Sequence, residues 1–187
     1  IKFVIYENNL FIGKANKYLL PFAKKLFVSY KELEGVREKY DKKKFEIGNL
    51  VREEIIYSPN TREDNENNYE LDRIKILVLG GSQAAKIFAE ELPIIFKKLK
   101  NSFPSIKVYQ QCLKNQNDQL SKFYQTSGID YEIFNFSDNI INYYSKINLV
   151  ISRSGASVLG ELINMNKPFI SIPLPSSADN HQLKNAE

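Results

Sequence analysis

Short apolar runs alternate along the chain with longer segments in which apolar residues recur every three or four positions. The clearest case is Ile76–Leu79, an unbroken apolar run that ends at Gly80 and Gly81 and is followed by the amphipathic segment Ser82–Leu99. A short apolar run is typical of a buried strand, and the wider spacing is typical of a helix that covers a core. This region is therefore predicted to form a strand, a glycine turn and a helix.

The same alternation extends over most of the chain. It predicts strands at 1–5, 26–29, 45–47, 74–79, 106–110, 131–134 and 147–151, and a last apolar run at 168–173. It predicts helices at 14–23, 82–99, 117–126 and 138–144 and one that ends at Met165, and Pro93 should kink or restart its helix. Strands separated by helices indicate an α/β fold with a parallel sheet covered on both faces. In such a sheet, ligands bind beyond the carboxyl ends of the strands.

Composition limits the function classes. The 187 residues are 43% hydrophobic, enough for a core, and the net charge of +4 is spread along the chain, which argues against nucleic acid as a partner. Cys112 is the only cysteine, so we expect a reducing, cytosolic compartment and no cysteine metal cluster. No apolar run approaches the ~20 residues of a membrane span. Because the chain begins at Ile1 within an apolar run, we expect a piece of a longer protein.

The turn at Gly80–Ser82 is the first candidate for ligand chemistry. A helix N-terminus offers backbone N–H groups and the positive end of the helix dipole, which favour an anion such as phosphate. Alternatively, Ser82 only caps the helix, as serine often does. Neither G-x-G-x-x-G nor G-x-x-x-x-G-K-[ST] occurs in the chain. Dinucleotide binding and P-loop chemistry are therefore disfavoured.

A second turn of small residues, Ser152–Ser157, again joins a predicted strand to a helix, and two such turns suit a pyrophosphate. Further along that helix, the Glu161 carboxylate could accept hydrogen bonds from both hydroxyls of a ribose, although an exposed helical glutamate is the simpler interpretation. Arg52 could neutralise a phosphate or lie on the surface. With His181 as the only histidine and no G-x-S-x-G motif, a hydrolase triad is disfavoured.

Four segments occur in a fixed order: GNLVR at 48–52, LVLGGSQAA at 77–85, ISRSGAS at 151–157 and ADNHQLKNA at 178–186. Together with YENN at 6–9, they resemble the motifs of the MurG family of peptidoglycan glycosyltransferases, over essentially the whole chain. The resemblance implies a GT-B fold with Rossmann-like parallel sheets in an incomplete two-domain chain. Residues 1–52 would close the acceptor domain, 53–72 would be a linker or surface loop, and 73–187 would form a donor domain truncated at its C-terminal end.

The resemblance implies an inverting transfer of N-acetylglucosamine (GlcNAc) from UDP-GlcNAc to lipid I, the undecaprenyl-pyrophosphoryl-MurNAc-pentapeptide, to give lipid II. It implies no cofactor and no metal. The presumed catalytic base would lie upstream of Ile1, as would most of the part that binds lipid I. The expected place is the cytoplasmic face of the bacterial inner membrane, as a peripheral protein.

The resemblance also implies roles for individual residues. In the donor site, Asn9 would contact the GlcNAc or its phosphate side, Arg52 the diphosphate region, and Ser82, beside Gly81, a phosphate. Glu161 would hold the ribose hydroxyls, and Gln182, with His181, the sugar hydroxyls. The remaining implied residues are Ser154, Gly155 and Ala156, which would line the nucleotide site, and Ile140, near the uracil.

Three positions depart from the family pattern. Ala84, Leu50 and Asn8 stand where the family usually has glycine, proline and glutamine. An added methyl at Ala84 would crowd a close backbone approach and weaken donor binding. Alternative hypotheses are an inactive remnant or split-gene piece of such an enzyme, and another nucleotide-sugar transferase of the GT-B class. A nicotinamide-dependent oxidoreductase is contradicted by the missing glycine fingerprint.

Overall fold

A computed structural model describes residues 1–57, 73–137, 139–175 and 180–187, without the side chains of 82–85. Contacts between Cα atoms divide the chain into two compact units. The first unit comprises Ile1–Glu53, Ser154–Glu161 and Pro173–Glu187, and the second comprises Glu54–Arg153 and Leu162–Ile172. The domain boundaries expected from the family motifs stay a prediction, and 58–72 of the expected linker lie outside the described residues.

The first unit contains a small parallel sheet. Its strands are β1 (Ile5–Glu7), β2 (Leu26–Val28) and β3 (Lys44–Glu46), in the order β1-β2-β3. Helix α1 (Lys14–Leu19) and a 3₁₀ helix (Glu38–Lys43) connect them. Seven apolar residues form its core, namely Ile5, Ile12, Leu20, Ala23, Leu26, Val28 and Leu33. Phe3, Val36 and Tyr40 are partly buried and pack against this core.

The second unit contains a five-stranded parallel sheet in the order β6-β5-β4-β7-β8. The strands are β4 (Lys75–Leu79), β5 (Lys107–Gln111), β6 (Asp130–Phe134), β7 (Leu149–Ser152) and β8 (Phe169–Ser171). The helices between Glu53 and Asn164 are α2 (Glu53–Ile56), α3 (Gly81–Leu99), α4 (Asn117–Thr126), α5 (Ile141–Tyr144) and α6 (Ala156–Asn164), with a 3₁₀ turn at Lys114–Gln116. Helix α7 (His181–Ala186) closes the chain within the first unit.

Apolar side chains cover both faces of the larger sheet. On one face, Val78 and Val108 pack with Phe88 and Phe96 of α3 in the main core cluster. Because side chains alternate along a strand, Tyr109 points to the opposite face, where its ring lies 5.5 Å from that of Tyr143 in α5. The expected α/β class, with parallel strands and helices on both faces, is confirmed.

Several predicted boundaries are wrong. The first strand was expected at 1–5 but lies at Ile5–Glu7, because only these residues pair with β2, and Val4 is 53% exposed. Helix α1 ends at Leu19 and not at 23, because Pro21 has no N–H to continue the hydrogen-bond ladder. The other predicted strands shift by one or two residues.

The predicted restart of a helix at Pro93 is also wrong. Helix α3 runs without interruption from Gly81 to Leu99 with Pro93 inside it. Proline removes one ladder hydrogen bond, but Leu92 and Phe96 on either side are buried in the core, which keeps the helix continuous. The helix expected at 138–144 begins at Ile141, and Asp138 lies outside the described residues.

Candidate functional site

The glycine turn of the second unit follows β4, at the carboxyl edge of the sheet. Gly81 has φ +61°, a conformation that glycine adopts without steric cost, and it begins α3. Its backbone N–H donates to Oε1 of Gln111 at 3.1 Å, and Nε2 of Gln111 donates to the Asn135 carbonyl at 3.3 Å. A side-chain oxygen thus accepts from the amide that was expected to face an anion.

Gln111 is a residue that the sequence reasoning missed. It is the last residue of β5, which pairs directly with β4. Carboxyl ends of neighbouring parallel strands lie at one edge of a sheet, so a polar residue that ends β5 was the available signal. The side chains of Ser82 and Ala84 are not among those described, so the role of Ser82 and the effect of the methyl at Ala84 stay predictions.

Ile140, expected near the uracil, precedes α5 and is only 8% exposed. Its carbonyl accepts from the backbone N–H of Tyr143 at 3.0 Å, which fixes the start of that helix. With the side chain buried in this way, a ligand beside Ile140 would meet mainly backbone.

In the first unit, Arg52 and Glu161 form a two-pronged ion pair. Nε of Arg52 donates to Oε1 of Glu161 at 2.9 Å, and Nη2 donates to Oε2 at 2.8 Å. The Glu161 side chain is 14% exposed and that of Arg52 is 42% exposed. A planar guanidinium matches a carboxylate in this parallel arrangement, which fixes both groups. The sequence indicated each residue separately, and the structure brings them together.

Two further contacts position the segment that leads to Arg52. The backbone N–H of Leu50 donates to the Tyr6 hydroxyl at 3.0 Å, beside Gly48 with φ +79°. A Cβ at Gly160, one residue before Glu161, would lie 3.1 Å from the Asn49 side chain. The absence of a side chain at Gly160 therefore lets the segment around Asn49 approach α6 closely. Tyr6 lies in the YENN motif, but the sequence assigned no role to it or to Gly160.

The turn before α6 is largely buried. Ser154 and Ala156 are 0% and 4% exposed, and the Ser154 carbonyl accepts from Nδ2 of Asn185 in α7 at 3.1 Å. The carbonyl of Gly155 accepts from the N–H of Leu159 at 3.0 Å, which is an ordinary first-turn bond. The Ser154 side chain is thus inside the protein, and its expected role as a nucleotide contact would fall to backbone atoms of the turn.

Asn9 lies in the loop after β1, and its side chain has partners on both sides. Nδ2 donates to Oε1 of Glu7 at 2.9 Å, and Oδ1 accepts from Nδ2 of Asn185 at 3.2 Å. Nearby, Nδ2 of Asn8 donates to Oγ of Ser157 at 3.1 Å. These bonds tie the loop after β1 to the turn before α6 within the first unit. Glu7 and Asn185 are two more residues that the motif reasoning left without a role.

Gln182 and His181 begin α7, whose preceding residue Asn180 has φ +54°. Oε1 of Gln182 accepts from the backbone N–H of Leu174 at 2.9 Å, so this amide joins the start of α7 to Leu174. The intervening Ala178 and Asp179, which belong to the matched motif, lie outside the described residues.

Over the ranges that the structure describes, no group of three or more His, Cys, Asp or Glu could hold a metal ion. Over the same ranges, no helix is both long and apolar enough to span a membrane. Near the sheet edge, burial and a hydrogen bond to Glu132 raise the pKa of Tyr143 to about 12. Its hydroxyl therefore stays protonated at neutral pH and acts structurally.

The chain is similar to known proteins along its whole length. The model of the glycosyltransferase family 28 C-terminal domain matches residues 75–187. The UDP-N-acetylglucosamine--N-acetylmuramyl-(pentapeptide) pyrophosphoryl-undecaprenol N-acetylglucosamine transferase of Rickettsia felis is 38% identical over 100% of this chain and 53% of its own length. The protein of the same name from Pelagibacter ubique is 35% identical over 100% of the chain and 50% of its own length. The chain thus spans about half the length of these curated relatives.

Two solved structures are similar in fold to this chain. MurG of Acinetobacter baumannii superposes with a TM-score of 0.73 at 23% identity, over 100% of this chain and 50% of that one. The glycosyltransferase of kitacinnamycin superposes with a TM-score of 0.53 at 12% identity, over 87% of this chain and 40% of that one. At these identities the likeness establishes the GT-B-type fold.

Proposed function

The chain belongs to glycosyltransferase family 28, by its match to the family's C-terminal domain, and we propose that it binds UDP-GlcNAc as the sugar donor. We propose further that the protein moves GlcNAc from this donor to undecaprenyl-pyrophosphoryl-MurNAc-pentapeptide, with inversion at the anomeric carbon. The relatives from Rickettsia felis and Pelagibacter ubique, which are named as N-acetylglucosamine transferases of this kind, support the donor and the acceptor.

The observation that carries the proposal is the ion pair between Arg52 and Glu161. A guanidinium is a planar fork of N–H donors that suits phosphate oxygens, and a carboxylate accepts hydrogen bonds from hydroxyl groups. A cationic donor group beside a hydroxyl-accepting group fits the pyrophosphate and ribose of a nucleotide sugar.

In the proposed reaction, a hydroxyl of the acceptor attacks the anomeric carbon of GlcNAc while UDP leaves. Negative charge grows on the diphosphate as the bond breaks, and Arg52 would stabilise it electrostatically. Glu161, Gln182 and Asn9 would hold ribose and sugar hydroxyls and so orient the anomeric carbon.

We propose an anionic membrane surface as the second partner, because the acceptor carries an undecaprenyl chain. An aromatic and cationic surface around α1 supports this proposal. Tyr18 and Phe22 are 78% and 71% exposed, and Lys17 and Lys24 are exposed beside them. Residues 1–53 carry 12 Lys and Arg against 7 Asp and Glu. Aromatic rings at the headgroup level with lysines around them suit the surface of an anionic bilayer.

Calorimetry with the 187-residue protein tests the donor proposal. We expect UDP-GlcNAc and UDP to bind, and ADP-glucose, with the same diphosphate and a different base and sugar, to bind at least tenfold more weakly. A protein that releases no heat with UDP-GlcNAc, or that binds ADP-glucose equally well, would show that this chain is not the donor-binding part of such a transferase.

A further inference from the structure

The Asn9 amide forms hydrogen bonds with two side chains of the first unit that have no assigned role. On one side is Glu7, at the end of β1, and on the other is Asn185, in α7. The distances are 2.9 Å from Nδ2 of Asn9 to Oε1 of Glu7 and 3.2 Å from Nδ2 of Asn185 to Oδ1 of Asn9. The orientation of Asn9 thus depends on two residues far apart in the sequence.

Glu7 determines the orientation of the Asn9 amide. An ionised carboxylate can only accept hydrogen bonds, so the amide nitrogen of Asn9 must face it. Glu7 is itself only 3% exposed, and its two oxygens accept four N–H groups. The donors are the backbone and side-chain nitrogens of Asn9, the backbone of Gly13 and the side chain of Asn16. These four hydrogen bonds fix the orientation of the carboxylate and offset the cost of burying it.

Asn185 fixes the other end of the amide. Its Oδ1 accepts from the backbone N–H of Leu10 at 3.2 Å. Its Nδ2 donates to Oδ1 of Asn9 at 3.2 Å and to the Ser154 carbonyl at 3.1 Å. Both N–H groups of the Asn185 amide are thus used, and its side chain joins α7, the loop after β1 and the turn before α6.

This arrangement determines what Asn9 can offer to a ligand. The second N–H of its amide points to Oδ1 of Asn8 at 3.3 Å, so both N–H groups have acceptors. The Asn9 carbonyl oxygen has two lone pairs, and among the described residues Asn185 occupies one of them. The group left for a ligand is a hydrogen-bond acceptor, which suits a hydroxyl and not a phosphate oxygen.

We propose that Glu7 and Asn185 are positioning residues that orient Asn9 to accept a hydrogen bond from a sugar hydroxyl of the donor. The proposal rests on the proposed function, because it needs a nucleotide sugar in the site. From the family motifs, Asn9 was expected to contact either the GlcNAc or its phosphate side. The proposal selects the sugar.

The test is the affinity ratio between UDP-GlcNAc and UDP, measured by calorimetry for each variant. The ratio isolates the sugar, because both ligands share the nucleotide. We expect Asn9→Ala to lower the ratio about fivefold, as for the loss of one hydrogen bond of about 1 kcal/mol. Glu7→Gln and Asn185→Ala should lower it by a similar factor while the affinity for UDP stays unchanged. Adding Glu7→Gln to Asn9→Ala should lower it no further, since Glu7 acts through Asn9.

Asn16→Ala is the matched control. It removes one donor from the other oxygen of the same carboxylate, Oε2 of Glu7, and leaves the bond to Asn9 in place. We expect this variant to keep the wild-type ratio. Asn185→Asp is the second variant, in case Glu7→Gln fails to fold. It keeps the side-chain shape, puts an acceptor against the Asn9 carbonyl, and should lower the ratio.

Three outcomes are distinguishable. A wild-type protein that binds neither ligand contradicts the proposed function. A wild-type protein that binds UDP-GlcNAc, with variants that weaken both ligands equally or not at all, overturns the positioning role. Additive effects of Glu7→Gln and Asn9→Ala on the ratio would also overturn it, because each residue would then act on the ligand independently.

Discussion

The two units of the chain treat a buried charge in opposite ways. Glu7, in the first unit, is 3% exposed and accepts four N–H groups. Lys167, in the second unit, is 7% exposed, and burial lowers the pKa of its amine. The first unit thus surrounds the Glu7 carboxylate with hydrogen-bond donors. In the second unit, burial disfavours the protonated form of Lys167.

The cores of the units differ in the same sense. The second unit buries Leu77, Val78, Phe96 and Val150 completely around a five-stranded sheet. The first unit has three short strands and a tightly connected polar network, which includes Glu7, Asn9 and Asn185. We infer that the second unit supplies most of the stability and that the polar groups of the first unit supply ligand geometry.

The largest effect is expected from Phe96→Ala in the second unit. Phe96 is 0% exposed within the main core, and truncating a buried phenylalanine leaves a cavity that costs about 3–5 kcal/mol of unfolding free energy. Urea denaturation measures this loss. Ile95→Ala, at a neighbouring position that is 48% exposed, is the control and should cost about 0.5 kcal/mol or less. An equal loss of unfolding free energy in the two variants would show that burial of Phe96 does not stabilise the second unit.

The next effect is expected from Arg52→Ala in the first unit. Losing a guanidinium that faces a diphosphate should weaken UDP binding about twentyfold, within the ~1.5–3 kcal/mol of a hydrogen bond to a charged group. The unfolding free energy should fall by only about 1 kcal/mol, because the pair with Glu161 is partly exposed. Arg52→Lys should recover only part of the affinity, since lysine lacks the planar fork. A variant that loses stability and keeps its affinity would assign Arg52 a structural role instead.

A smaller effect, of about 1 kcal/mol, is expected from Lys167→Met. Because burial lowers the pKa of Lys167 below 10.5, the unfolded chain binds the proton more readily, and this contribution makes the unfolding free energy rise with pH. The free-energy cost of burying the charged amine is fully present below the folded-state pKa. It disappears above 10.5, the pKa of Lys167 in the unfolded chain. Lys167→Met should therefore raise the stability at pH 7 and flatten its rise toward pH 10. A variant less stable at pH 7, with the slope unchanged, would contradict this account.

The smallest effect is expected at the aromatic surface of the first unit. The double variant Tyr18→Ser and Phe22→Ser should lower partitioning to vesicles that contain phosphatidylglycerol about threefold, through lost burial of apolar area. Ile87→Ser with Ile94→Ser, two exposed residues of α3, is the matched control and should change nothing. Cosedimentation measures both. Equal binding of all variants would contradict a membrane role for this surface.

The sequence predicted more of the second unit than of the first. Runs such as Ile76–Leu79 are apolar enough to be recognised as buried strands, and the residues around Pro93 were predicted as helix from their spacing. In the first unit, β1 was misplaced because the apolar residues at 1–4 do not pair with β2. Strand pairing is a property of the folded chain, and a three-residue strand carries too short a pattern to show it.

The candidate site shows the same limit. Family motifs indicated Arg52, Asn9 and Glu161, because each has a characteristic neighbourhood in the sequence. They did not indicate that Arg52 and Glu161 pair, or that Gln111 accepts from Gly81. Such contacts join residues 30 to 109 positions apart, so only the fold brings them together. The roles of the site residues as donor contacts stay predictions.

The most direct test is calorimetric titration of UDP and of its 2′-deoxyribose analogue into the wild-type protein and into Glu161→Gln. Glutamine keeps the shape of Glu161 and loses the charge that ribose hydroxyls favour. The account predicts that the wild-type protein prefers UDP over the deoxy analogue by about tenfold, and that Glu161→Gln binds the two nearly equally. A preference of the same size in both proteins would mean that Glu161 does not hold the ribose. It would contradict the proposal that polar groups of the first unit bind the donor.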